Sequence, residues 1–141
     1  MKKDKVGKKV FVIGSASRLE MDALRKAMEK VGLEKCEMWG CVGSMRRKRR
    51  LLVNSQILKT AVQRAEFAKR KCPQCIAVGF ARGVVRKSAG KGNGAITEVA
   101  EVYIIGNDER RCWKTVEESA NKEEAVCNAI FSAFLTLDIK A

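Results

Sequence analysis

Apolar positions along the chain fall into compact runs separated by amphipathic stretches, and this alternation predicts an ordered series of strands and helices. Lys9–Ser15 (KVFVIGS) reads as a buried strand closed by Gly-Ser. In Arg18–Val31, Leu24, Ala27, Met28 and Val31 recur at i, i+3, i+4 and i+7, and Gly32 supplies a helix stop. Cys36–Val42 reads as a second strand, with Trp39 inside it. Asn54 or Ser55 caps a second helix running to about Lys71, whose inner face is Leu58, Ala61, Val62, Ala65 and Ala68. Pro73 ends it.

Gln74–Phe80 and Ala95–Ile105 are apolar on both sides, which suits central strands covered on two faces. Ala81–Gly94 reads as their connection, with Gly90, Gly92 and Gly94 at its tip. After a turn at Gly106, Asn107 and Asp108, the stretch Asn121–Glu124 forms a capping box for a last helix. Its buried stripe is Val126, Ala129, Ile130, Ala133, Phe134 and Leu137. The predicted order is βαβαββα: an α/β fold, one domain over residues 1–141, with a mixed central sheet flanked by helices.

The chain has 141 residues, 46% of them hydrophobic, enough to fill one core. No apolar run approaches the 18 or more residues of a transmembrane helix. Behind the basic start only Val10–Ile13 follow as an apolar run, too few for a signal peptide. A cytoplasmic protein without a membrane partner is expected.

Charge changes the picture more. Lys and Arg number 29 against 16 Asp and Glu, a net charge of +13. The excess is lopsided: residues 1–92 carry 24 basic and 7 acidic side chains, residues 93–141 only 5 and 9. Such asymmetry points to a polyanionic partner, nucleotide, nucleic acid or anionic surface, or to a like-to-unlike contact between subunits, as in a homodimer. A basic face that is merely solvated is the plain alternative. Arg46, Arg47, Lys48, Arg49 and Arg50 form the densest run and the candidate polyanion-binding patch. With only 6% aromatic residues, stacking on bases adds little to it.

The chain has no His, which removes the commonest general base and any Ser-His or Cys-His nucleophile system. Its six Cys are expected to be reduced core thiols without metal. Cys72-Pro-Gln-Cys75 is a CxxC, but Cys36 and Cys41 are spaced too loosely for a zinc partner pair. Gly14, Ser15, Ala16, Ser17 and Arg18 lie at a strand-to-helix turn, where free N–H groups, two hydroxyls and a guanidinium suit a phosphate. Ser17 capping the helix is an equal alternative. The glycine tip is no P-loop, although Lys87 and Lys91 beside it favour phosphate. Glu98 and Glu101 fall on opposite faces of one strand and cannot act as a carboxylate pair.

Taken in order, these pieces resemble the non-canonical purine NTP phosphatases that act on inosine and xanthosine triphosphates. The strand ending in Gly14-Ser15 followed by a polar turn is similar to their G-S-x-N-P-x-K opening. Gln56–Ala68 resembles their E-T-x-x-G-A-x-N-R-A helix through Ala61, Arg64 and Ala65. Val78–Val84 resembles their V-G-I-E-G-G-V strand end, and Ala125–Leu135 their closing A-V-x-x-A-L-x-P-F helix. The resemblance implies an inosine-triphosphatase-like fold, a purine nucleoside triphosphate ligand, and hydrolysis of a phosphoric anhydride with Mg2+ or Mn2+. It assigns Ser15, Ser17, Arg18 and Arg64 to nucleotide phosphate. The departures fall on the chemistry: Ser17 and Glu20 stand for the family's Asn and Lys, Gln56 for an acid, and Ala81 for a Glu. Glu20 and Glu98 are the acids left for a metal, and neither matches a motif. Two alternatives to a hydrolase follow, a basic binding protein for nucleotide or nucleic acid, and a structural subunit of an assembly.

Overall fold

The computed structural model describes residues 10–14, 17–41, 54–86, 96–117 and 121–140. Ser15, Arg46–Arg50, the N-terminal lysines and the glycine tip lie outside them. The described chain forms β1 (Val10–Gly14), α1 (Arg18–Lys30), β2 (Glu37–Cys41), α2 (Asn54–Lys71), β3 (Ile76–Arg86), β4 (Ile96–Ile105), β5 (Arg111–Glu117) and α3 (Lys122–Thr136). The five strands make one sheet in the order β2-β1-β3-β4-β5. β1 runs parallel to both β2 and β3, while β4 is antiparallel to β3 and to β5. This is the expected single α/β domain around a mixed sheet. Among the described residues, no helix is long and apolar enough to cross a membrane.

Strand alternation sends side chains to two cores. Phe11, Ile13, Ile76, Val78, Phe80, Val102 and Ile104 pack under α1 and α3. Val12, Ala77, Ala81, Val99, Tyr103 and Ile105 face α2. The first core holds the bulk, with Phe11 and Phe134 in ring contact at 5.6 Å. The second is built on Ile57, Ala61, Ala65 and Ala68, small residues that let α2 lie close to the sheet. Ile57, rather than the expected Leu58, is its fully buried entry residue, and Leu58 is only partly covered.

Two elements differ from the sequence expectation. β3 continues through Ala81–Arg86, paired residue for residue with β4 from Ala77↔Ile105 to Arg86↔Ile96. Gly83 and the two arginines hide an alternation in which Ala81 and Val85 point inward. β5 was not expected at all. Its buried positions are Cys112 and the partly covered Lys114 and Val116, so a polar edge strand carries little apolar signal. A tight turn feeds it: Gly106 N–H donates to Arg110 O at 2.8 Å, and Glu109 takes a left-handed φ of 72°.

A third correction concerns the thiols. Cys72 and Cys75 form a disulfide, with Cα atoms 5.4 Å apart. The helix runs on through Cys72 N–H to Ala68 O, and the Pro73-Gln74 turn then returns Cys75 N–H to Cys72 O. That turn brings the pair inside bridging range. Cys36, Cys112 and Cys127 are free.

Candidate functional site

From β1 the chain leaves over one face of the sheet through α1 to β2; through α2, over the other face, it comes back to β3. Such a reversal opens a crevice at the C-terminal ends of the strands it separates, here β1 and β3. Two glycines let α2 close on these strands. Gly14 and Gly79 are register partners, and each faces the backbone of α2. A Cβ on Gly79 would sit 2.5 Å from Ala65 N, and one on Gly14 only 3.0 Å from the Arg64 carbonyl carbon. Without side chains there, α2 lies directly on the strands and carries Arg64 to the crevice.

Arg64 is half-buried. Its Nη1 donates to Phe80 O at 2.8 Å, while its Nε is buried without a partner. Burial lowers its pKa, and the negative charge of Glu20 works against that shift. Glu20 itself is 5% exposed. Its Oε1 accepts the Ser17 N–H at 2.9 Å, Ser17 Oγ accepts the Glu20 N–H, and Arg82 Nε stands 3.4 Å from Oε2. A buried carboxylate at the first turn of α1 is thus paired with Arg82 and acts electrostatically on Arg64.

Of the residues assigned to phosphate, Ser17 and Arg64 come together here and Arg18 is exposed at the start of α1. Ser17 spends its hydroxyl on the reciprocal cap, so its role in the described fold is to start the helix. Arg82 and Glu101 were missed. Arg82 could have been found as a cation at the outward step of an alternating strand. Glu101 could have been found as an acid inside the inward stripe Val99, Tyr103 and Ile105.

Glu101 stands directly across from Ala81, the position where the resemblance expects a Glu. It is 3% exposed, and Thr115 Oγ1 donates to it at 2.8 Å. Burial pushes its carboxyl above the ordinary value of 4.5, and the Thr115 bond opposes the shift. A raised folded-state pKa means that ionisation costs stability as pH rises through the folded value. Glu101→Gln keeps an acceptor for Thr115 and loses the charge. We expect it to be more stable than wild type at pH 7 by on the order of 1 kcal/mol. The gain should vanish below pH 4.5, where both chains carry a neutral group. Urea midpoints at the two pH values check this.

The acids do not suit Mg2+ or Mn2+. One oxygen of Glu20 is held by a backbone N–H and the other faces Arg82. Glu98 is paired with Lys122 beside a small pocket on the α1–α3 side, and Glu101 faces α2 instead. Among the described residues, no group of three or more His, Cys, Asp or Glu gathers to hold a metal. The metal-assisted chemistry of the phosphatases that the sequence resembles therefore finds no ligand set among the described residues.

Fold and site together define an α/β protein with Arg64, Arg82 and the buried Glu20 placed by a topological switch point between β1 and β3. No family model and no curated protein matches the chain. It is similar to a solved structure, the crystal structure of protein VC0702 from Vibrio cholerae, with a TM-score of 0.71 at 12% identity. The likeness covers 94% of this chain and 96% of that one, and it establishes the fold.

Proposed function

We propose that the chain is a divergent inosine/xanthosine-triphosphatase-like protein that binds the phosphates of a purine nucleotide at the β1–β3 crevice and hydrolyses them weakly. One observation carries the reading: Arg64 has an unpartnered buried Nε and feels the charge of Glu20, the carboxylate that Arg82 pairs at the start of α1. The cluster keeps a net positive charge, and guanidinium forks suit phosphate oxygens. Phosphoryl transfer needs cations and usually metal ions positioned on the transferred group. Glu20 in place of the family Lys opposes that charge, and the acids that would bring a metal are diverted. Binding is thereby favoured over turnover.

The test is calorimetric titration with inosine and xanthosine triphosphates, together with phosphate or pyrophosphate release in Mg2+ or Mn2+. Arg64→Ala should weaken binding roughly tenfold or more, the worth of a charged hydrogen bond. Arg64→Lys keeps a charge and should recover part of it. Absence of nucleotide binding by the wild type removes the reading. Fast turnover would show that hydrolysis survives the loss of the family acids.

A further inference from the structure

α2 covers only part of its face of the sheet, and beyond it β4 and β5 present an aromatic pair. Trp113 is 54% exposed although it sits in the middle of β5. Its ring stacks on Tyr103, the cross-strand partner, with centroids 6.5 Å apart and planes 21° from parallel. Tyr103 is held from below, since Arg111 Nη1 donates to its Oη at 3.3 Å and to Glu66 Oε2 at 3.0 Å. One face of the indole is thus fixed by a partner ring while much of the side chain stays in water. Trp is enriched at interfaces, and an exposed indole backed by a partner ring offers a surface on which a flat ligand can stack.

Beside the pair runs an open groove of about 340 Å³, floored by Ile105 and walled by Arg70 and Pro73 on one side and Arg111 on the other. Its surroundings are basic. On the α2 side stand Arg70 and the buried Lys69, and β5 opens with Arg111 after Arg110. The acids nearby are Glu66, paired with Arg111, Asp108, paired with Arg110, and Glu109. A supported aromatic face next to a cationic track is the arrangement that holds a single-stranded nucleic acid, with bases stacking and phosphates following the cations. A chain of net charge +13 adds long-range attraction to the same ligand.

We infer that the surface between α2 and β5 binds single-stranded nucleic acid, one base stacking on Trp113 and the adjoining phosphates lying along Arg70 and Arg111. Duplex has no unstacked base to offer, so single strands are preferred. The site is separate from the β1–β3 crevice and does not depend on what that crevice binds.

The experiment uses a fluorescently silent twelve-nucleotide single strand and its duplex, with the full chain carrying Trp39→Phe. The sequence has two Trp, so Trp113 is then the only indole. Adding the single strand at low salt should quench its emission, and the duplex should bind more weakly. By fluorescence anisotropy with a labelled strand, Trp113→Ala should lose roughly tenfold or more in affinity, whereas Trp113→Phe keeps most of it. Affinity should fall with salt, by a log–log slope of roughly −1.4 for two phosphate contacts. Circular dichroism checks that both variants fold. Equal binding by Trp113→Ala, or no binding of the single strand at low salt, overturns the proposal. So does a concentration-dependent dimer that Trp113→Ala dissociates, because the platform would then be a contact between copies.

Discussion

Gly79→Ala should cost about 3 kcal/mol of stability, the upper part of the range for overpacking a close contact. A methyl group there meets the α2 backbone, not the end of a flexible side chain, with Ala65 N at 2.5 Å and Ala65 Cβ at 3.0 Å. Relief requires the helix to lift from β3, and lifting it opens the contacts of Ala61, Ala65 and Ala68 with the sheet. For a domain of this size the loss corresponds to a drop of roughly 10 °C in melting temperature. Gly40→Ala is the control, since nothing lies within 4 Å of a Cβ at that position on edge strand β2. It should stay within about 0.5 kcal/mol of wild type. Thermal melts of both variants decide the matter, and equal melting temperatures would show that α2 is not seated on the glycine. The same lift would displace Arg64, so the variant's nucleotide affinity should fall together with its stability.

The seating of α2 explains which parts of the molecule could be read in the sequence. Long periodic segments carry their own signal: α1, α2, α3, β1 and β4 are at or within a residue or two of the expected bounds. Edges are harder. β5 buries Cys112 and leaves Arg111, Trp113, Thr115 and Glu117 outside, so its alternation is mostly between polar and half-polar residues. The upper half of β3 was obscured by Gly83 between Arg82 and Val84, and only the ladder to β4 makes it a strand. At the crevice, Arg64 and Ser17 were legible as a cation and a cap at named positions. Their relation to Glu20 and Arg82 was not, because it depends on α1 and β3 meeting across the sheet. Glu101 opposite Ala81 is likewise a matter of register, which no single strand encodes.

Lys69→Met should destabilise the fold by about 2 kcal/mol, because a buried ammonium ties three elements together. Lys69 is 8% exposed, and its Nζ donates to Cys75 O at 2.8 Å and to Gly106 O at 3.1 Å. Those carbonyls stand at the entry to β3 and the exit of β4, so the side chain pins the last turn of α2 to the base of the sheet. Hydrogen bonds to a charged group are worth about 1.5–3 kcal/mol each. Removing the cost of burying the charge returns part of that sum. Met fills a similar volume, so the difference reports the bonds and not a cavity. Burial lowers the Lys69 pKa below 10.5, while Glu109 and Asp108 act to raise it. Between the lowered folded value and 10.5 the unfolded chain holds more protons, so the wild-type contribution grows with pH in that window. Denaturant midpoints of wild type and variant should therefore move further apart from neutral pH toward pH 10. Lys59→Met, on an exposed position of the same helix, should change stability by less than about 0.5 kcal/mol at either pH. A gap equal to that of Lys59→Met would mean that Lys69 does not hold the base of the sheet, and one that closes as pH rises would mean that burial does not lower its pKa.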